Sequence, residues 1–563
     1  MIVWVRAHAQ GLTAGFFFIF ALVFHYSFPF RPADDLRRTT VTYTDGLYTA
    51  WALGWDTDFL LHPSTSLFQA PFFAPHTGTL AYSEHFFGEA LVMFPLTILL
   101  NNPAVSVAVL VVISTWLTGW MFFLLMRTQG ADIRGASLAG LIAAYAPTRM
   151  NHAPGHLHIL ALWWIPLCIL FLHRYRTTRA SKWLWAVGGC IVAQGLFSMH
   201  GLIFLLVACV VAASAYWWRE KGSWHAWRNI GVAAVMALVA LSPLIIPYVQ
   251  LGHHPHFTRP LREQTTFAPS LADMLIPPMF VPVQDVENHI ALGLIPFALV
   301  FWGTYALSRK SIYPYSTLRI LAAYLLLIVV GVVLALGPEM RLLRDSGPSL
   351  PGPYWLLGSI PGFSGIRAVG RFFQLALIGI AGYVGITWPY VTRRMTPWLK
   401  WSVSATVAAL LLGEFISTAP PTYALPAAAL VSRPVDTWLA QKGAGCTVAE
   451  FPFDDPRTVD DETAWFMYLS RFHHQRLVNG YSGYFPVEYP ALADVANGPN
   501  AAGAVPLLRE LGTDYLVVHP SLYPGMRGER LISQLKNDPT VREETRFPDS
   551  YVFRVLPEDS SCD

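Results

Sequence analysis

Long apolar runs separated by short polar ones fill the first three quarters of the chain. Runs able to cross roughly 30 Å of hydrocarbon recur at residues 11–30, 89–126, 135–145, 157–172, 184–198, 201–218, 230–249, 290–307, 320–337, 372–390 and 401–417. The 89–126 run is too long for one crossing and predicts an interfacial helix leading into a span, while 135–145 is short for one. The pattern predicts about eleven spans. From residue 419 it changes. A Pro-rich linker, APPTYALP, leads into a stretch in which 446–453 and 515–519 read as short buried strands, 501–511 and 529–535 as amphipathic helices, and 551–556 as a closing strand. The expected fold class is an α-helical polytopic membrane protein: residues 1–418 form a transmembrane domain with a large first external loop, 31–88, and residues 419–563 form a small α/β domain.

Charge in the connecting loops sets the expected orientation. One alternating set of loops holds Arg6; Arg127 and Arg134; Arg174, Arg176, Arg179 and Lys182; Arg219, Lys221 and Arg228; Arg309, Lys310 and Arg319; and Arg393, Arg394 and Lys400. Lys and Arg near span ends mark the cytoplasmic side. The other set, 31–88, 146–156, His200, 251–289, 338–371 and the tail after 418, is richer in Pro, Gly, His and acids and faces outward, which in a bacterium is the periplasm. An odd number of spans from a cytoplasmic N-terminus also places the C-terminal domain outside. The first apolar run follows a charged start, as a signal peptide would, but no small-residue cleavage site follows it, so it reads as a retained span of an inner-membrane protein.

Composition agrees with a membrane location and excludes other classes. At 54% hydrophobic and 13% charged residues, the chain is too apolar for a water-soluble protein, where about a quarter of residues are charged. A net charge of +3, scattered over loops, offers no basic face for nucleic acid. The 20 Trp and 23 Tyr suit the membrane interface. Of the cysteines, Cys168, Cys190 and Cys209 fall in spans, where a thiol is a small apolar group. Cys446 and Cys562 fall in the external domain, where a disulfide is permitted and two unpaired thiols are equally open.

Residues with chemical potential gather at the outer face. Between residues 43 and 89, Asp45, Asp56, Asp58, Glu84 and His85 stand among aromatics. Leu47, Trp51, Trp55 and Phe59 recur every fourth position, which predicts a helix over 46–61 lying in the outer interface with its aromatic face in lipid or against the spans. Asp45 and Asp56 would then sit roughly 16 Å apart at 1.5 Å per residue, too far to serve one reacting atom. Asp45 reads as a helix N-cap or as a general base for an acceptor hydroxyl; Asp56 and Asp58 read as solvated helix-end charges or as secondary site candidates. Glu84 and His85 read as braces of the loop or as ligands of a divalent cation or a substrate phosphate, although neighbours on a helix do not face one another. In RMNHAPGHLHI, Pro154 and Gly155 break the helix that a zinc-protease motif needs, so His152, His156 and His158 read as hydrogen-bonding loop residues, as do His253, His254 and His256. Arg367 and Arg371, four apart in IPGFSGIRAVGRFF, share a face once a helix has begun. Their guanidinium forks suit a phosphate or snorkel to headgroups. The tail segment LSRFHHQRLVNGYSGYFP adds His473, His474, Asn479 and Tyr481 around an Asn-Gly turn.

Over nearly its whole length the chain resembles the bacterial polytopic membrane glycosyltransferases of the GT-C superfamily. The resemblance rests on DGLYTAWALGW, LFQAPFFAPHTGTLAYSEH, GHLHILALWWIPL, IPGFSGIRAVGRFF, RLVNGYSGY and LGTDYLVVHP. It implies a GT-C-like fold, a polyprenyl-phosphate-linked sugar as donor, an acid of the first external loop as base, and inversion at the anomeric carbon. Asp45 matches the loop acid, Arg367 and Arg371 suit the leaving phosphate, and Glu84, His85 and His156 are expected donor or acceptor contacts, with Asp56, Asp58, His158 and Tyr481 as secondary candidates. Many relatives place two acids together where Thr44-Asp45-Gly46 has one, which leaves open whether Asp56, Glu84 or no second acid takes part and whether a divalent cation is used. The acceptor, whether glycan, lipid or protein, is not named by the sequence. Two other classes stand beside this one. A transporter or flippase for lipid-linked saccharide would carry inverted repeats and broken helices, and a non-catalytic envelope assembly protein would use the external domain to hold a partner.

Overall fold

The structure is a computed structural model that describes residues 2–25, 43–63, 66–153, 155–220, 223–254, 257, 259–275, 290, 292–309, 314–343, 349–358, 360, 362–416, 431–443, 445–453, 462–556 and 562. Residues 31–42 at the start of the first loop, the linker APPTYALP and His256 lie outside these residues.

Among the described residues, six helices are long and apolar enough to cross a membrane: Pro103–Thr128, Leu157–Thr178, Met199–Trp217, Tyr315–Ala335, Val369–Val391 and Pro397–Ile416. The pair Ser223–Ala240 and Ser242–Gly252, bent by 78° at its junction, makes a seventh when counted as one. The chain is a multi-pass membrane protein. Fewer helices meet these criteria than the sequence pattern predicts, because several apolar runs form shorter helices: Phe87–Leu100, Leu294–Ser308, Ile133–Tyr145 and Lys182–Phe197. The first run forms the helix Ile2–Phe24. The long run at 89–126 divides as expected. Asn101, at φ 46°, ends Phe87–Leu100, and Asn102 Oδ1 then accepts the N–H groups of Ala104 and Val105 to cap Pro103–Thr128.

The chain forms two compact units, Met1–Phe30 with Ala108–Pro421, and Arg31–Val107 with Thr422–Asp563. Residues 31–107 therefore cluster with the C-terminal tail, whereas the sequence division gave 31–88 to the transmembrane part.

In the first unit, helix Phe373–Val391 is buried from Phe373 to Trp388. Small residues let its neighbours approach: a Cβ on Gly379 would lie 2.7 Å from the Tyr324 carbonyl oxygen, and one on Gly382 would lie 2.2 Å from the Tyr324 ring. A short antiparallel hairpin pairs β1 (Glu339–Arg341) with β2 (Ser349–Pro351).

The second unit holds a mixed sheet of β3 (Thr447–Phe451), β4 (Arg476–Leu477), β5 (Tyr515–Val518), β6 (Val541–Arg546) and β7 (Tyr551–Val555), in the order β4-β3-β5-β7-β6. β3 runs parallel to β4 and β5, and β7 antiparallel to β5 and β6. Both β3 and β5 are buried along their whole length, as their mainly apolar sequences suggest, although β3 also carries the Glu450 carboxylate. Cys446 and Cys562 are paired as a disulfide with Cα atoms 5.4 Å apart.

The first-loop helix forms as expected, spanning Tyr43–Leu61, but its aromatic face does not lie in lipid. Trp51 is 4% exposed and meets the Phe72 ring edge-on at 5.2 Å. Its indole N–H donates to Ser470 Oγ at 3.3 Å, and that of Trp55 donates to the Leu67 carbonyl at 2.8 Å. An indole whose N–H finds a protein acceptor is satisfied in a protein core, so the face reads as lipid-facing by composition and is core by packing. The loop also covers the β4 edge of the sheet, where Ala74 N–H donates to the Leu477 carbonyl and Leu477 N–H to that of Pro71, each at 2.8 Å.

Candidate functional site

Asp45 is the third residue of the Tyr43–Leu61 helix, so it sits inside the first turn rather than at the N-cap. A carboxylate there is favoured by the positive end of the helix. It is half-buried, and the Tyr481 hydroxyl donates to its Oδ1 at 2.8 Å. Tyr481 lies in the loop that follows β4, and no turn forms at Asn479–Gly480. Asn479 anchors that loop to β3: its Oδ1 accepts the Glu450 N–H and its Nδ2 donates to the Glu450 carbonyl, both at 2.7 Å. A partly exposed carboxylate aimed by a phenol on a rigid scaffold meets the requirements of a general base.

The other acids of the loop lie differently. Asp56 is completely buried, its Oδ2 accepts the Phe86 N–H at 3.1 Å, and burial pushes its carboxyl up to about 8. It is a core acid, not the solvated helix-end charge that its position suggested. Asp58 stays near the surface, 3.8 Å from His474, and burial, offset by His474, raises its carboxyl. Glu84 and His85 are both buried. Phe87 N–H donates to His85 Nδ1 at 3.4 Å, which places the imidazole proton on Nε2, and burial pushes the ring down to about 4 against the opposing pull of Glu84. Glu89 joins these residues unannounced by the sequence. It is fully buried in the first turn of Phe87–Leu100, and neither carboxyl oxygen has a hydrogen-bond partner among the described residues. Its only sequence signal is an acid at the head of an apolar run.

Two groups of side chains among the described residues bring ligand atoms close enough to share a metal ion: Cys446, Asp514 and Cys562, and Asp436, Glu450 and His473. The first spends its sulfurs on the disulfide. The second is already served by a cation, since Arg433 donates to both carboxylates and His519 Nε2 lies 2.9 Å from Glu450. Arg433 and His519 hold the Glu450 carboxyl below its usual range against the effect of burial. This network is structural.

In the membrane unit, RMNHAPGHLHI folds into two single helical turns, Pro147–Met150 and Leu157–Leu160. His152 Nδ1 and His156 Nδ1 are 3.3 Å apart, the His156 and His158 rings lie 5.5 Å apart, and His200 stands 5.5 Å from His158. Arg371 Nη1 donates to His158 Nε2 at 3.1 Å. Arg149, fully buried, braces the turns by donating to the carbonyls of Ala144 and Leu160, each at 2.8 Å, and to Thr118 Oγ1 at 3.2 Å. His200 and Arg149 are absent from the sequence candidates. Arg367 does not share a helical face with Arg371, because the 3-10 turn starts at Val369 and the α-helix at Phe373. Its guanidinium instead lies over the Phe267 ring at 4.9 Å. His253 and His254 lie apart, at the end of Ser242–Gly252.

No family model matches the chain, and no curated protein matches it. Among solved structures, the arabinofuranosyltransferase AftD from Mycobacteria is similar over 94% of this chain, with a TM-score of 0.57 at 16% identity. The chain spans 41% of the length of AftD. The archaeal oligosaccharyltransferase AglB from Archaeoglobus fulgidus, solved with an inhibitory peptide and a dolichol-phosphate, is similar over 92% of this chain and 70% of its own, with a TM-score of 0.53 at 11% identity. At these identities the likeness is one of fold.

Proposed function

We propose that this multi-pass protein, whose fold is that of the GT-C membrane glycosyltransferases, moves a sugar from a polyprenyl-phosphate-linked donor to an acceptor at the periplasmic face of a bacterial inner membrane. The observation that carries the proposal is the half-buried Asp45 carboxylate, held by the Tyr481 hydroxyl at 2.8 Å. Asp45 takes the acceptor hydroxyl proton as that oxygen bonds to the anomeric carbon. The bond from that carbon to the phosphate oxygen breaks, and its electron pair leaves on the lipid phosphate. One displacement aided by one base inverts the anomeric centre. Arg371 is assigned to the leaving phosphate, where a fixed donor stabilises charge as it develops, and His156 and His158 are assigned to the same phosphate. Glu84 and His85, on their burial, are assigned to bracing the loop. A dolichol-phosphate bound to one fold neighbour supports the donor class.

The test is a purified, reconstituted chain supplied with a panel of polyprenyl-phosphate-linked sugars and with an envelope extract of glycans, lipids and proteins as the source of acceptor hydroxyls, read by release of the polyprenyl phosphate and formation of a glycosidic product. Release with at least one donor supports the proposal; intact donors throughout, with the chain folded, refute it. One observation favours a second reading, transport of a lipid-linked saccharide: the 78° bend between Ser223–Ala240 and Ser242–Gly252, a broken helix of the kind transporters use. A transporter would move the lipid-linked sugar across the bilayer with its glycosyl bond intact, so the same assay separates the two.

A further inference from the structure

The contact between Arg371 and His158 fixes a protonation state by chemistry alone. A guanidinium has only N–H groups to offer, so Nε2 of His158, 3.1 Å from Arg371 Nη1, must be the acceptor. A ring that accepts at Nε2 carries its proton on Nδ1 and is neutral. The same logic applies at the 3.3 Å approach of the His152 and His156 Nδ1 atoms, where one ring must donate and the other accept. Among the described residues, the charged and titratable groups that face His158 are Arg371 on the Val369–Phe372 turn, His200 at the start of Met199–Trp217, and His156 and His152 on the preceding loop. All of them are cationic when ionised. An arriving anion is what this group of side chains would accommodate best.

We propose that capture of a phosphodiester at Arg371 is coupled to uptake of a proton by His158. The inference rests on the phosphate role given to Arg371 above and adds what the imidazole does. An anionic phosphate oxygen is a stronger acceptor than a neutral ring nitrogen, so it takes the Arg371 Nη1–H. That frees the Nε2 lone pair beside a negative charge, which favours the imidazolium form. His158 then binds one proton from solvent at Nε2 and donates it in a hydrogen bond to a second phosphate oxygen. His200, the half-exposed member of the cluster, is the route by which the proton enters. Departure of the phosphate reverses the exchange, and Arg371 returns to the neutral ring.

The experiment is titration calorimetry on the full chain in nanodiscs with undecaprenyl methyl phosphate, a diester whose single charge does not titrate near neutrality. Run at pH 7 in buffers of different ionisation enthalpy, the slope of heat against that enthalpy counts protons bound, and about one per diester is expected. In His158→Gln the amide oxygen still accepts from Arg371 but cannot titrate, so the diester binds with a slope near zero. Binding to the wild type without proton uptake, or an unchanged slope in His158→Gln, overturns the coupling alone. If the diester does not bind the wild type at all, the phosphate role of Arg371 falls and the coupling falls with it.

Discussion

Replacing Asp56 with asparagine should change how the stability of the protein depends on pH. Burial raises the Asp56 carboxyl from 3.8 to about 8, so across that interval the folded state keeps a proton that the unfolded chain has released. Stability is therefore greatest below the unfolded value and falls as pH rises, by about 1.4 kcal/mol per pH unit. Between pH 5 and pH 8 the loss comes to ~4 kcal/mol. The substituted side chain would keep an amide oxygen for the Phe86 N–H, which Asp56 Oδ2 accepts at 3.1 Å, and it would not titrate. Its NH2 group would take the position of Asp56 Oδ1, which has no hydrogen-bond partner among the described residues, at a cost of about 1–3 kcal/mol that is the same at every pH. The signature is thus the trend of the difference between variant and wild type, not its value at one pH. Thermal unfolding of both proteins in nanodiscs would show Asp56→Asn gaining on wild type by ~8–16 °C from pH 5 to pH 8, at about 2–4 °C per kcal/mol for a unit of this size. Parallel curves would refute the burial of an ionisable Asp56.

His85 should act in the opposite sense: burial lowers it from 6.5 to about 4, so its contribution is complete above pH 6.5 and lost as pH falls toward 4, and His85→Gln should flatten the acid limb of the same melting curves. Trp51→Ala removes a core ring that packs on Phe72 and should lower stability by about 3–5 kcal/mol, measured by thermal unfolding. Tyr481→Phe removes the hydroxyl that donates to Asp45. It should slow transfer roughly tenfold and move the acid limb of the pH–rate profile upward, because a carboxylate that loses a donor is harder to ionise. Reduction of the Cys446–Cys562 disulfide, which closes 116 residues of chain, should cost the second unit about 2–5 kcal/mol, read as earlier proteolysis of the reduced protein.

Local pattern carried the fold further than it carried the site. β3, β5 and β7 announced themselves as apolar runs, but β4 has only two residues and β6, VREETR, is largely charged and exposed, so neither left a hydrophobic signal. The first-loop helix was legible from the four-residue spacing of its aromatics. Its packing was not, because an aromatic stripe facing lipid and one facing a protein core have the same composition. Asp45, Arg371, His158 and Tyr481 were all legible as candidates, and their partnerships were not. Tyr481 reaches Asp45 across 436 residues and Arg371 reaches His158 across 213, separations that no periodicity encodes. Glu89 went unread because an acid at the head of an apolar run resembles a helix start, and only burial distinguishes it.

The role of Asp45 as base is tested most directly by a comparison of Asp45→Asn with wild type at saturating lipid-linked donor, with sugar transfer and donor binding measured on the same preparations. Loss of a general base should lower the transfer rate by about 10²–10⁴-fold while donor binding and the melting temperature stay near wild type. Transfer by Asp45→Asn at the wild-type rate would contradict the assignment.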